Sequence, residues 1–342
     1  MNKRLFGIMP SGESVHIYRI SCGDAYAEIT EYGASLVTLC PFGDVDVVGG
    51  FDTLDGYLSD DSNQGGIVGR VANRIAKAQF ALDGRVYHLP PNDNGNCLHG
   101  GNGFNHRLWT VVDHTEGSLT LSYVSSDGEE GFPAELAVEV TYEMQGHALL
   151  ISYRAIPDGT TPIALTNHAY FNLDGLGGDV GDHLVQIWAD RYTEVDDELI
   201  PTGNRPSVEG TVFDMRAPRR LGEAFSEPCG GYDHNMILSP VSFKGFHGHE
   251  LGLAARVEGK SMVMQVYTDQ PGLQFYTGNF LGKGPAFKMG IPQQRHGAFC
   301  MEAQTEPNCI NRGEAFYARG EEYRQLTVYE FSTKQSSFEV RS

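Results

Sequence analysis

Two ionisable residues stand where proton chemistry would need them. Glu302 closes the apolar run Gly297-Ala298-Phe299-Cys300-Met301. A carboxylate there is costly to bury unless partners hold it, and such burial commonly raises its pKa toward use as a base. His168 lies in Thr166-Asn167-His168-Ala169-Tyr170-Phe171-Asn172-Leu173. Strand alternation would place Asn167 and Ala169 on one face and His168 and Tyr170 on the other. An imidazole facing a cavity can take or give a proton near neutrality. Each residue also has a plain structural reading, an ion-pair partner for Glu302 and a core imidazole satisfied by backbone for His168.

Other polar clusters suit hydroxyl recognition. Asn73 offers donors and acceptors, and Arg74 is a fixed fork of donors, both in Gly69-Arg70-Val71-Ala72-Asn73-Arg74-Ile75. A surface turn stapled by arginine is the alternative there. His99 sits beside Gly100 and Gly101, which let backbone approach a ligand closely, although a loop histidine beside glycines is common. Asp233 and Gln274 can bridge paired hydroxyls, while the aromatics of the segment 275–280 can cover the apolar C–H face of a sugar.

Twelve histidines invite a metal reading, but none forms HExxH, and His99 and His168 lie in separate segments. A metal site is therefore disfavoured. A glycoside hydrolase would need a second carboxylate opposite the first, for which Asp233 is the candidate; the neighbouring imidazoles fit hemiacetal chemistry better.

The elements that must position these groups read as strands. Period-two alternation rich in β-branched and aromatic residues marks 118–124, 135–142, 148–154, 184–192, 261–268 and 325–331. Asp83-Gly84 supplies the positive φ angles of a type I′ turn, which makes 76–89 a hairpin. Glycine stands at 42 of 342 residues, roughly 12% against a usual ~7%, spaced as turns between short strands. Helical periodicity is scarce; the best candidate, 219–225, follows Pro218. The expected fold is all-β, a large antiparallel sandwich with few short helices, closed enough to protect its edges. No linker or repeat interrupts the pattern, so residues 1–342 are expected to form one domain.

Bulk properties narrow the partners. Hydrophobic residues at 40% and charged residues at 20% support a large core. A formal net charge of -19 argues against nucleic acid and anionic membrane surfaces, which reward clustered Lys and Arg. The start lacks a signal-peptide core, and no run approaches the ~18 apolar residues of a membrane helix. Six cysteines, at 22, 40, 97, 229, 300 and 309, lack CxxC spacing; Cys300 in its apolar run reads as a free buried thiol, and the cytoplasm as the compartment.

Six segments in order, RVANRI at 70–75, LHGG at 98–101, NHAYFNL at 167–173, YDHN at 232–235, QFYTGNF at 274–280 and EAQ at 302–304, resemble the galactose mutarotase (aldose 1-epimerase) family. The agreement runs from about Tyr18 through the last strand. The resemblance implies a large β-sandwich that binds a hexose in an open cleft without metal or organic cofactor. It implies Glu302 as the base at the C1 hydroxyl and His168 as the acid at the ring oxygen, with His99 near that oxygen. Asn73, Arg74, Asp233 and Gln274 match the residues that grip the other hydroxyls. One departure is Glu306, an acid where many relatives carry an aromatic or small polar residue, which bears on the pocket rim.

Ring opening of a hemiacetal removes one proton from O1 and delivers one to O5, and a positioned base and acid contribute the usual ~10²- to 10⁴-fold each. The expected pH profile is a bell whose acid limb follows the carboxylate and whose alkaline limb follows the imidazole. A catalytically silent sugar-binding module would have lost Glu302 or His168. A hexose-6-phosphate epimerase would need a cationic cluster, for which Arg70 and Arg74 are the visible candidates. The expected partner is therefore a free aldose, with the protein acting as a monomer or homodimer.

Overall fold

The computed structural model describes residues 2–226 and 230–334. Antiparallel strands dominate it. A large sheet runs in the order Thr110–His114, Ser118–Ser125, Leu136–Gln145, Ala148–Pro157, Tyr323–Thr333, Met262–Thr268, His249–Glu258, Leu184–Ile187 and Arg219–Arg220, with Phe243–Phe246 pairing onto His249–Glu258. A five-stranded sheet runs Tyr170–Phe171, Phe299–Gln304, Gly272–Tyr276, Asp233–Leu238 and Ala189–Tyr192. Four N-terminal strands, Lys3–Ile8, Ser14–Cys22, Ala25–Thr30 and Leu36–Cys40, form a third sheet.

The principal core lies between the large and five-stranded sheets. Val138, Val140, Ile151, Met264, Val266 and Tyr329 from one meet Met236, Leu273, Phe275, Phe299, Met301 and Ala303 from the other in a single buried cluster. Because side chains alternate along a strand, the five-stranded sheet must turn Asp233, Asn235, Gln274, Tyr276, Cys300 and Glu302 to its opposite face. Register then aligns them. Asn235 faces Gln274 and Gln274 faces Glu302 across neighbouring strands, while Asp233, Tyr276, Cys300 and Tyr170 form the adjacent row.

The expected strands are present, with two differences. The segment 184–192 is not one strand: Leu184–Ile187 belongs to the large sheet and Ala189–Tyr192 to the five-stranded one, the chain stepping between layers at Trp188. Alternation survives that step, so the pattern alone could not reveal it. The 219–225 segment starts as the short strand Arg219–Arg220 and then makes one 3₁₀ turn, Leu221–Ala224. An α-helix forms instead at Leu54–Ser59, where no side chain caps the start. Burial of Leu54 and Tyr57 holds it, and Gly56 is required because a Cβ there would stand 2.4 Å from Phe51 Cβ. The Asp83-Gly84 turn takes φ of 50° and 77°, as type I′ demands. No helix among the described residues is long and apolar enough to cross a membrane.

Candidate active site

A cavity of about 370 Å³ opens on the polar face of the five-stranded sheet. All seven side chains expected from the sequence line it: Asn73, Arg74, His99, His168, Asp233, Gln274 and Glu302. They arrive from six separate stretches of chain.

Glu302 and Gln274 are register partners on adjacent strands, and Asp233 enters from the next strand, where Gln274 Nε2 donates to its Oδ1 at 2.7 Å. His168 is set by a bracket around it. Asn167 turns away, its Nδ2 donating to Gly65 O at 2.7 Å and Tyr142 Oη at 3.2 Å, while its Oδ1 accepts the Ala169 N–H. The backbone of His168 itself exchanges bonds with Gly65 and Gly66. His168 is thereby aimed into the cavity, on the face that alternation predicts. Its Nε2 lies 3.8 Å from Glu302 Oε1, and Nδ1 lies 3.6 Å from Cys300 Sγ.

His99 has φ of 56° and is fixed at both ends, its N–H donating to Asn73 O and its Nδ1 accepting the Asn73 N–H at 3.2 Å. An Nδ1 that accepts places the ring proton on Nε2. The following Gly100 is obligatory, since its φ is +78° and a Cβ would lie 2.4 Å from Gly69 O. Asn73 Oδ1 accepts the Arg74 N–H at 2.8 Å, and Arg74 Nε is held by Asp93 at 2.7 Å. Tyr276 and Phe280 stack at 6.2 Å and give the cavity an aromatic wall.

Burial governs the electrostatics. Glu302 is held well above the usual carboxylate range by burial, then by the Asp233 carboxylate, with Arg74 opposing. Burial likewise raises Asp233, against the pull of Arg74 and Gln274. His168 is pushed down to about 4 by burial. His99 falls well below its ordinary value through burial, then through His168 and Arg74, and so stands as a neutral donor. Glu302 Oε2 and Gln274 Oε1 are buried without a hydrogen-bond partner among the described residues. Two acceptors left unpaired beside the cavity suit a polyhydroxylated ligand.

Two expectations change. Arg70 does not reach the cavity: its guanidinium is buried against Ser125, Ser126, Pro133 and Thr161, donating five hydrogen bonds of 2.7–3.0 Å. It cannot contribute to a phosphate site. Glu306 does not shape the rim either, because Thr193, Arg205 and Arg312 hold it elsewhere. Sequence reasoning missed Asp60, Asp61, Ser62, Asn63, Lys283 and Gln293, which line the mouth. They belong to loops whose composition resembles any solvated turn. It also read Cys300 only as an inert thiol. With His168 and Glu302, Cys300 forms a group of potential metal ligands assembled by register rather than by sequence spacing.

The family profile described as aldose 1-epimerase matches residues 16–330. Rat galactose mutarotase is 43% identical over 345 residues, covering 97% of this chain and 98% of that protein. Aldose 1-epimerase of Escherichia coli K12 is 37% identical over 279 residues, covering 78% of this chain and 79% of its own length. Among solved structures, an aldose epimerase homologue from C. elegans superposes with a TM-score of 0.84 at 30% identity, covering 93% of this chain and 98% of that one. Galactose 1-epimerase from Lactobacillus acidophilus shares the fold, with a TM-score of 0.85 at 24% identity over 98% and 99% of the two chains. This chain belongs to the aldose 1-epimerase family of sugar isomerases.

Proposed function

We propose that this protein interconverts the α and β anomers of a free aldohexose such as galactose or glucose, with Glu302 as the base and His168 as the acid. The observation that carries the reading is the buried pair itself. A carboxyl and an imidazole stand 3.8 Å apart in a cavity also lined by the hydroxyl-binding side chains Asn73, Arg74, Asp233 and Gln274 and by an aromatic wall. Glu302 removes the O1 proton as His168 Nε2 protonates the ring oxygen, and the C1–O5 bond opens to the aldehyde. Rotation about C1–C2 presents the other carbonyl face, and O5 attacks it as both proton transfers reverse. The His99 Nε2–H hydrogen-bonds to the ring oxygen without transferring its proton. Asn73, Arg74, Asp233 and Gln274 hold C2 to C6 while C1 stays free to turn.

A 6-phosphate substrate is disfavoured, since Arg70 is spent internally and Arg74 is tied to Asp93. The five cysteines among the described residues are all free thiols, which supports the cytoplasm as the compartment.

The test is polarimetry or anomeric NMR on freshly dissolved α-galactose, α-glucose and glucose 6-phosphate. Acceleration of the free sugars, with little on the phosphate, is expected. A rate equal to the spontaneous one on every aldose tried would reduce the protein to a sugar-binding module.

A further inference from the structure

Cys300 stands two residues before Glu302 on one strand, so both side chains leave the same face, and His168 packs against them. One ligand atom from each of the three, an imidazole nitrogen, a thiol sulfur and a carboxyl oxygen, lies within 4.8 Å of the other two. All three residues are buried. Zinc held by such atoms at ~2.0–2.3 Å places them about 3.3–3.6 Å apart in a tetrahedral site. A zinc ion takes one imidazole nitrogen, so one of two short contacts already serves, either Cys300 Sγ to His168 Nδ1 at 3.6 Å or His168 Nε2 to Glu302 Oε1 at 3.8 Å, and the other ligand atom lies within 4.8 Å. Side-chain rotation that shortens the remaining separations by about 1 Å closes the set.

The ligand types also select the ion. Sulfur, imidazole and one carboxylate suit a borderline-soft divalent cation, whereas calcium and magnesium require oxygen shells. His168 and Glu302 both border the cavity, so a fourth coordination position faces it. Three protein ligands with one open position form a site that binds without being sealed. The charge of the surroundings favours a cation, because Asp233 lies near Glu302 while the nearby Arg74 is engaged by Asp93.

We propose that a thiophilic divalent cation, zinc by its chemistry, binds His168, Cys300 and Glu302 and reversibly inhibits the enzyme. Binding releases the Cys300 thiol proton, and any proton on Glu302, to solvent. It also occupies the carboxylate and the His168 lone pair. Inhibition therefore rests on these two residues being the reacting pair, whereas binding does not. Because the ion takes the groups that meet O1 and O5, zinc and sugar compete.

The test uses the full chain with Cys22→Ser and Cys229→Ser, which removes the exposed thiol and the one outside the described residues. Cobalt(II) serves as the spectroscopic probe and zinc as the inhibitor. The expected results are a thiolate-to-cobalt charge-transfer band with the visible spectrum of a four-coordinate ion, and competitive inhibition by zinc that a chelator reverses. Zinc at about ten times its dissociation constant lowers the rate about tenfold by occupancy. Cys300→Ser and Cys300→Ala should each lose the band and the sensitivity to zinc. A missing charge-transfer band overturns the site, and so does unchanged zinc sensitivity in a folded Cys300 variant. A band without inhibition overturns the inhibitory reading and separately removes Glu302 and His168 from the reaction. Should both variants fail to fold, the band and the competition in the chain retaining Cys300 still decide.

Discussion

Replacing Glu302 by glutamine keeps the shape of the side chain and removes only its capacity to cycle a proton. Glu302 is 2% exposed, its Oε2 has no hydrogen-bond partner among the described residues, and its Oε1 stands 3.8 Å from His168 Nε2. Burial and then Asp233 push the carboxyl toward its neutral form. An amide in its place keeps the shape and removes the charged form that burial disfavours, so stability should fall by no more than about 1 kcal/mol, within a few degrees in Tm. Catalysis should not be spared. Loss of a general base costs about 10²- to 10⁴-fold, or roughly 3–5 kcal/mol of transition-state stabilisation. The loss should fall on kcat, because Gln274, Asp233, Asn73 and Arg74 still hold the sugar. Two-dimensional exchange NMR between the anomeric protons measures the rate above the spontaneous background, and sugar titration measures affinity. A folded Glu302→Gln protein that retains full kcat would refute the assignment of the base. One that loses affinity with kcat intact would move Glu302 to binding alone.

Arg70→Met removes five hydrogen bonds, three of them fully buried, and should destabilise the fold by about 3–5 kcal/mol. In the folded fraction KM should be unchanged, and a selective rise in KM would return Arg70 to the sugar site. Gly100→Ala drives a Cβ to within 2.4 Å of Gly69 O at a φ of +78°, so about 1–3 kcal/mol is lost and His99 is displaced. Thermal melts should show the loss together with a lower kcat, and an unaffected kcat would argue against a role for His99. His168, pushed down to about 4 in the fold, withholds a proton that the unfolded chain binds below ~6.5, so its contribution is present above 6.5 and is lost as pH falls toward 4. His168→Gln should remove up to about 3 kcal/mol of that acid sensitivity, read from urea midpoints at pH 7.5 and 4.5. Equal sensitivity in both proteins would mean that the imidazole is not held neutral.

Much of the site was legible because chemistry and alternation coincide. Glu302 at the end of an apolar run and His168 opposite the face of Asn167 both follow from period two on a buried sheet. What the sequence could not carry was register. Nothing in EAQ, QFYTGNF or YDHN says that Glu302 lies opposite Gln274 and Gln274 opposite Asn235, because pairing depends on strands distant in the chain. For the same reason Cys300 looked inert until the fold set it against His168. Arg70 and Arg74, four residues apart, separate completely: one becomes an internal staple and the other a cavity wall. The loops at the mouth had no periodic signal.

The shared burial of Glu302 and His168 changes the meaning of the pH profile. The sequence suggests a carboxylate limb on the acid side and an imidazole limb on the alkaline side. In the fold, burial pushes the carboxyl up and the imidazole down, so between the two titrations the pair carries one proton, and burial favours it on Glu302. The reacting form needs that same single proton on His168. Passing it across the 3.8 Å gap changes no net charge, and sugar hydroxyls with the His99 N–H replace the water that each charged form lacks. Both limbs then belong to the pair. Activity falls on the acid side when His168 gains a second proton, near pH 4, and on the alkaline side when the raised Glu302 loses the only one. An acid limb that survives unshifted in Glu302→Gln would locate it on His168, whereas its disappearance would return it to the carboxyl.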